Sequence, residues 1–145
     1  MQQTRPTGTF LAFDFGHRRI GVAVGQTLTG SANPLAVISV ADKPDWNAIS
    51  KTISEWKPVG LVVGLPLAAD GGETDISKDA RRFGRRLEGR YGVPVFYQDE
   101  RLSSIDAEER FIGARARGGM RRKEAALKDA LAAQIILENW LAACG

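Results

Sequence analysis

LAFDFGHRRIGVAVG, residues 11–25, holds two apolar runs joined by a turn, and the first run ends on a carboxylate. Phe10 to Phe15 reads as a strand from the middle of a sheet. Asp14 interrupts it, and an unpaired carboxylate in apolar surroundings is costly. An arginine, a hydrogen-bond network or a metal ion has to meet that charge. Ile20 to Thr27 is a second strand, and the intervening Gly16-His17-Arg18-Arg19 suits an antiparallel hairpin. Pro34 to Val40 (PLAVISV) is a third, so the chain opens as a meander.

Beyond Asp42 the period changes. Asp45 can cap a helix carrying Ile49, Ile53 and Trp56 at i, i+4 and i+7, with Pro58 ending it. Val59 to Leu67 (VGLVVGLPL) is a continuous apolar run, the pattern of a strand covered on both faces. After the loop AADGGE, a second helix from about Glu73 to Tyr91 gathers Ile76, Ala80, Phe83, Leu87 and Tyr91 on one stripe. Arg81, Arg82, Arg85, Arg86 and Arg90 occupy the rest of its surface. Val93 to Gln98 is a fifth strand, finishing on Asp99-Glu100-Arg101. Ser103 or Ser104 opens a short helix that stops near Gly113. Arg115 to Lys123 is a basic loop, and a last helix runs from Lys123 or Glu124 to about Ala142. The order β-β-β-α-β-α-β-α-α predicts a three-layer α/β fold with a five-stranded mixed sheet flanked by helices. Residues 1–8 read as a disordered leader and 9–143 as one domain.

Charge is unevenly distributed. Residues 1–70 carry six Lys/Arg, whereas residues 71–145 carry fourteen, twelve of them between Arg81 and Lys123, so the second half is where an anionic partner would dock. No segment approaches the ~20 apolar residues a bilayer requires, and the expectation is a cytoplasmic protein without membrane contact. One cysteine, Cys144, and one histidine, His17, exclude a disulfide framework and zinc sites built from Cys and His. His17, between Gly16 and two arginines, reads as a loop histidine rather than a catalytic base.

Two further carboxylates sit where a carboxylate is unexpected. At about 100° per residue, Asp129 falls on a small-residue face of the last helix with Ala125, Ala126, Ala132, Ala133 and Ile136. Glu124, Lys128, Gln134, Glu138 and Asn139 gather on the other side. Asp99-Glu100 ends the fifth strand, and alternation sends at most one of the two towards any shared site. Acids at strand ends of an open α/β sheet and on a covering helix can converge in one crevice. Like charges brought together there call for a divalent cation, and oxygen-only ligation points to Mg²⁺ or Mn²⁺. Two such ions ~4 Å apart would serve hydrolysis of a phosphodiester. The basic loop preceding the Asp129 helix would hold the nucleic-acid backbone near them.

DFGHRRIGVAV, VVGLPL followed by DGGE, DERLSSIDA and KDALAAQIIL together resemble the YqgF/RuvX family, RNase H-like proteins described as pre-16S rRNA nucleases and as Holliday-junction-resolvase-like. The matches run in family order from about Phe10 to Leu141. The resemblance implies an RNase H-like fold, a divalent-metal phosphodiesterase and a role in maturing the 5′ end of 16S ribosomal RNA. It implies that Asp14, Glu100 and Asp129 are the metal-binding, catalytic acids. His17, Ser104 and Lys128-Asp129-Ala130 depart from the family's usual residues without removing a carboxylate. Crossover resolvases of this fold place their second acid at the end of the strand before the arginine helix. Here that strand ends Gly64-Leu65-Pro66-Leu67, which leaves Asp70 and Asp99 as competitors of Glu100.

The sequence thus predicts a nuclease whose nucleic-acid contacts are Arg18, Arg19, Arg115, Arg117, Arg121, Arg122 and Lys123, helped by the second helix. The substrate is an rRNA precursor, met free or in ribosomal particles, or branched DNA, and the chain acts as a monomer or weak homodimer. Two rival classes are a nucleotide-binding module, for which Asp14-Phe15-Gly16 resembles the first phosphate loop of actin-like ATPases, and a non-catalytic RNA-binding assembly factor. The first rival lacks a second copy of its loop.

Overall fold

The computed structural model describes residues 7–100 and 121–143, in the last segment with side chains from Lys128 onward. Its elements are β1 (Thr9–Asp14), β2 (Arg19–Gln26), β3 (Ser31–Ser39), α1 (Trp46–Trp56), β4 (Gly60–Leu65), α2 (Asp75–Tyr91), β5 (Val95–Asp99) and α3 (Arg121–Ala143). The strands form one five-stranded sheet in the order β3-β2-β1-β4-β5. β1 and β2 pair antiparallel, as do β2 and β3, while β1–β4 and β4–β5 are parallel. This is the mixed sheet with an opening meander that the sequence predicts.

β1 lies at the centre, and Phe10, Leu11, Ala12 and Phe13 are fully buried. Period-two alternation divides them between two cores. Leu11 and Phe13 pack with Ile49 of α1 and with Ala80, Phe83 and Leu87 of α2. Phe10 and Ala12 pack with Ala133, Ile136, Leu137 and Trp140 of α3. The Trp140 ring lies 4.6 Å from that of Phe10 and 5.0 Å from that of Phe96, centroid to centroid.

Local signals account for most boundaries. The Asp45 side chain accepts from the Ala48 N–H, and α1 ends at Lys57, in the left-handed region with φ 46°, just before Pro58. Of the predicted Ile49, Ile53 and Trp56 stripe only Ile49 is fully buried, and Trp56 is exposed. α2 starts two residues later than predicted. Thr74 and Ser77 form a reciprocal capping box there, and Glu73 lies outside, bonded to Arg81 at 2.7 Å. Gly92, φ 67°, closes the helix.

Two boundaries differ from expectation. β3 begins at Ser31 rather than Pro34, because β3 is an edge strand and its register shifts where Ala23 faces Pro34, so the missing N–H disrupts no central ladder. α3 begins at Arg121, so the last three residues of the predicted basic loop, Arg121, Arg122 and Lys123, belong to its first turn. The rest of that loop, with Arg115 and Arg117, and the predicted helix near Ser104 lie outside the described residues. Among the described residues no helix is long and apolar enough to cross a membrane.

Candidate active site

Asp14 ends the row of β1 side chains that faces α3, two positions beyond Ala12 and four beyond Phe10. In the sheet it pairs with Gly21 of β2. On its other side the parallel register, Phe13 to Val63, brings Gly64 of β4 next in line. The carboxylate is therefore flanked by two strand positions that have no side chain. A Cβ on Gly64 would collide with Glu100 Oε2 and the end of Ile136. A Cβ on Gly21 would fall on the backbone carbonyl of Asp129. Glycine inside a strand often marks close approach of another chain segment, and here both glycines admit an acid to the vicinity of Asp14.

Glu100 arrives by alternation along β5. Phe96 packs in the α3-facing core and Val95 and Tyr97 in the opposite one, so Gln98 and Glu100 follow Phe96. The Glu100 N–H donates to the Leu65 carbonyl at 3.1 Å, carrying the β4–β5 ladder one residue past the strand. Its side chain is 7% exposed and bonded to that of Asp14. Burial pushes the Glu100 carboxyl up to about 10, with the charge of Asp14, the bond to it and the charge of Asp99 acting in the same direction. Burial also raises Asp14, to about 6, opposed by its bond to Glu100 and assisted by the charge of Asp129. The bond favours the proton on Glu100 and the charge on Asp14, so the two acids together retain one proton at neutral pH.

Asp129 comes from α3. Its stripe, continuing through Ala133 and Ile136, faces the sheet as predicted, and both of those residues are fully buried. Arg19, at the start of β2 and two residues before Gly21, points to the same side of the sheet. Its Nε donates to Asp129 Oδ2 at 2.6 Å, with side-chain exposures of 45% for Arg19 and 25% for Asp129. Asp129 is thus near enough to bear on Asp14 and is held by an arginine. As the side chains stand, no group of three or more His, Cys, Asp or Glu residues among those described is gathered to enclose an ion.

Asp70 is exposed in the loop after β4 and accepts from the Gly72 N–H at 2.8 Å. Asp99 takes the face opposite Glu100. Arg18 is exposed, and its carbonyl accepts from the Val40 N–H. His17 Nε2 lies 2.8 Å from Asp79 Oδ2 on the surface, a loop histidine as read. Gly21 and Gly64 escaped the sequence reading, although each interrupts an apolar strand and so carries the signal for close approach.

The donor set is carboxylate oxygen, the kind that a hard divalent cation takes. The shared proton shows the same deficit of positive charge: burial leaves Asp14 and Glu100 unable to ionise together, and a cation would satisfy both. The described geometry fits such an ion at Asp14 and Glu100, with Asp129 adjacent and engaged elsewhere.

Three comparisons bear on this arrangement. A family model described as RuvX, Holliday junction resolvase, matches residues 8–143. A protein of Xanthomonas euvesicatoria pv. vesicatoria (strain 85-10) is 51% identical over 140 residues, which are 96% of this chain and 90% of that protein. One from Hydrogenovibrio crunogenus (strain DSM 25203 / XCL-2) is 49% identical over 140 residues, covering 95% of this chain and 97% of its own. Both are named as candidate pre-16S rRNA nucleases. The solved structure of T. thermophilus RuvC in complex with a Holliday junction substrate superposes with a TM-score of 0.52 at 17% identity, covering 94% of each chain, a likeness of fold.

Proposed function

The chain belongs to the RuvX family of Holliday-junction-resolvase-like proteins, and from that premise we propose that it is a divalent-metal-dependent nuclease acting at Asp14, Glu100 and Asp129. The observation that carries the reading is the bond between Asp14 and Glu100. Acids from two strands, 86 positions apart in sequence, share a buried site that excludes a second negative charge. Purely structural carboxylates are seldom arranged to repel one another, and perturbed acids in a crevice mark functional sites.

A Mg²⁺ or Mn²⁺ ion, or a pair of them, at these carboxylates would neutralise the phosphodiester and activate the attacking water. The chain's own residues do the rest. Burial by Ile136 and the neighbouring strands limits water around Glu100, the glycines set how closely α3 approaches, and Asp14 holds the charge that receives the cation. Arg18 and the basic residues Arg115, Arg117, Arg121, Arg122 and Lys123 would guide the nucleic-acid backbone, an electrostatic role that makes binding fall steeply with salt.

The substrate we assign is structured RNA at the 5′ end of pre-16S rRNA, after the names carried by relatives at about half identity. The second reading, a branched-DNA resolvase, is favoured by the description of the matching family. The test is cleavage of a precursor rRNA end, a linear duplex and a four-way junction by wild type and Asp14→Asn, with and without Mn²⁺. Asp14→Asn keeps the shape and removes the charge. The expected result is a folded variant whose Mn²⁺-dependent cleavage drops at least ~100-fold, with the RNA end preferred by wild type. Full cleavage by the variant defeats the site, and preference for the junction transfers the assignment to DNA.

A further inference from the structure

Arg19 and Asp129 raise a problem that the nuclease reading leaves open. The acid that should complete the centre is bonded to an arginine at 2.6 Å, while the other two acids are bonded to each other. An ion pair of this kind directs the Asp129 carboxylate towards a cation of the chain itself. A guanidinium pairs equally well with a phosphate, through the same planar array of donors. Arg19 is the more exposed partner, 45% against 25% for Asp129. An incoming phosphodiester therefore reaches the arginine more easily than a competing cation reaches the buried side of the acid.

The placement is built into the strand. Arg19 and Gly21 share one face of β2, and Gly21 admits the Asp129 backbone to the sheet beside Asp14. Arg19 is thus fixed two residues from the point where α3 touches β2. With α3 docked, its guanidinium is within reach of Asp129, and its exposed side chain can also turn towards solvent.

We propose that Arg19 is a positioning residue that restrains Asp129 from the metal site until the phosphate backbone of a bound nucleic acid takes over the guanidinium. The inference rests on the metal-site reading above. It makes assembly of the full ligand set depend on substrate: without nucleic acid the cation meets Asp14 and Glu100 alone, and with it the cation meets all three acids. Idle cleavage chemistry is thereby limited to complexes in which a phosphodiester is already in place.

The test measures Mn²⁺ affinity by electron paramagnetic resonance, with no turnover required, in wild type, R19A, D129N, R19A/D129N and R18A. Each is taken alone and with a phosphorothioate-protected RNA duplex, and folding is checked by thermal melts. Release of a half-exposed ion pair predicts that R19A binds Mn²⁺ about fivefold more tightly than wild type without RNA. The gain vanishes when R19A is made in the D129N background, and R18A, which removes the neighbouring charge, shows little of it. Added duplex tightens Mn²⁺ binding by wild type about fivefold more than it tightens binding by R19A, and an equal effect of duplex on both overturns the proposal. An equal gain in both backgrounds, or an equal gain in R18A, reduces the effect to plain charge and overturns the proposal, as does an R19A affinity at or below that of wild type. Absence of Mn²⁺ binding from every protein, duplex present or not, sinks the metal site itself and the proposal with it.

Discussion

Gly21→Ala tests the close approach of α3 to the sheet more sharply than any change to an acid. Gly21 is not among the glycines in the left-handed region, so alanine can keep its backbone angles and the penalty is steric. The added methyl would sit on the Asp129 carbonyl, a backbone atom that cannot rotate away. Restoring an ordinary van der Waals separation requires helix and sheet to part by more than about 1 Å locally, in a core packed too densely to absorb it. Overpacking of this size costs about 1–3 kcal/mol, and displacement of a reacting group by about 1 Å can cost ~100-fold in rate. The assay pairs urea melts with initial rates of Mn²⁺-dependent RNA cleavage, for wild type, Gly21→Ala and Gly89→Ala. Gly89 lies within α2 with nothing near its absent Cβ, so alanine there should gain up to about 1 kcal/mol and leave cleavage unchanged. If Gly21→Ala melts and cleaves like wild type, α3 is not held at Gly21. If it is destabilised but cleaves at the wild-type rate while folded, Asp129 does not need that position.

The Asp14–Glu100 pair gives a pH signature in metal-free protein. Both acids bind protons more tightly folded than unfolded, so their stabilising contribution is complete below the ordinary Asp value of 3.8 and is lost as pH rises, through about 6 for Asp14 and towards about 10 for Glu100. Unfolding free energy of wild type in EDTA should fall by up to about 1.4 kcal/mol per pH unit above pH ~6, where Glu100 alone holds the extra proton. Glu100→Gln should flatten the slope and melt higher than wild type at pH 8, and a variant as pH-sensitive as wild type would deny the shared proton. At the head of α2, Thr74 caps Ser77 and its hydroxyl donates to the Pro66 carbonyl at 2.8 Å. Thr74→Ala should cost about 1–2 kcal/mol in chemical denaturation, and Thr74→Ser should restore most of it. Equal stability of all three proteins would remove the cap from the account.

Sequence legibility followed the range of the physics involved. The opening meander, Asp45 as a cap and the α3 stripe depend on neighbours within a few residues, and each stands where local pattern places it. Pro34 was misleading because its tolerance depends on β3 lying at the sheet edge, a fact of topology rather than of composition. The choice among Asp70, Asp99 and Glu100 depended on where β5 ends and which face its last residue takes. One position more or less reverses that answer, and the N–H of Glu100 bonded to Leu65 shows only that Glu100 takes the Asp14 side of the sheet. Gly21 and Gly64 look like weak strand residues until α3 and Glu100 are seen occupying the space above them. The contact between Arg19 and Asp129 spans 110 positions, and no spacing rule reaches that far.

Trp140, wedged between Phe10 and Phe96, sits eleven residues from Asp129 on the same helix, about 16 Å along its axis. Eleven residues complete just over three turns, so the indole and the carboxylate share nearly one bearing around the helix. The aromatic wedge therefore acts as an angular reference for the acid from the far end of the sheet. Adding or deleting a single residue between them would swing Asp129 by about 100°, away from Asp14, while leaving the helix itself intact. Over this stretch the helix tolerates changes of residue far better than changes of length.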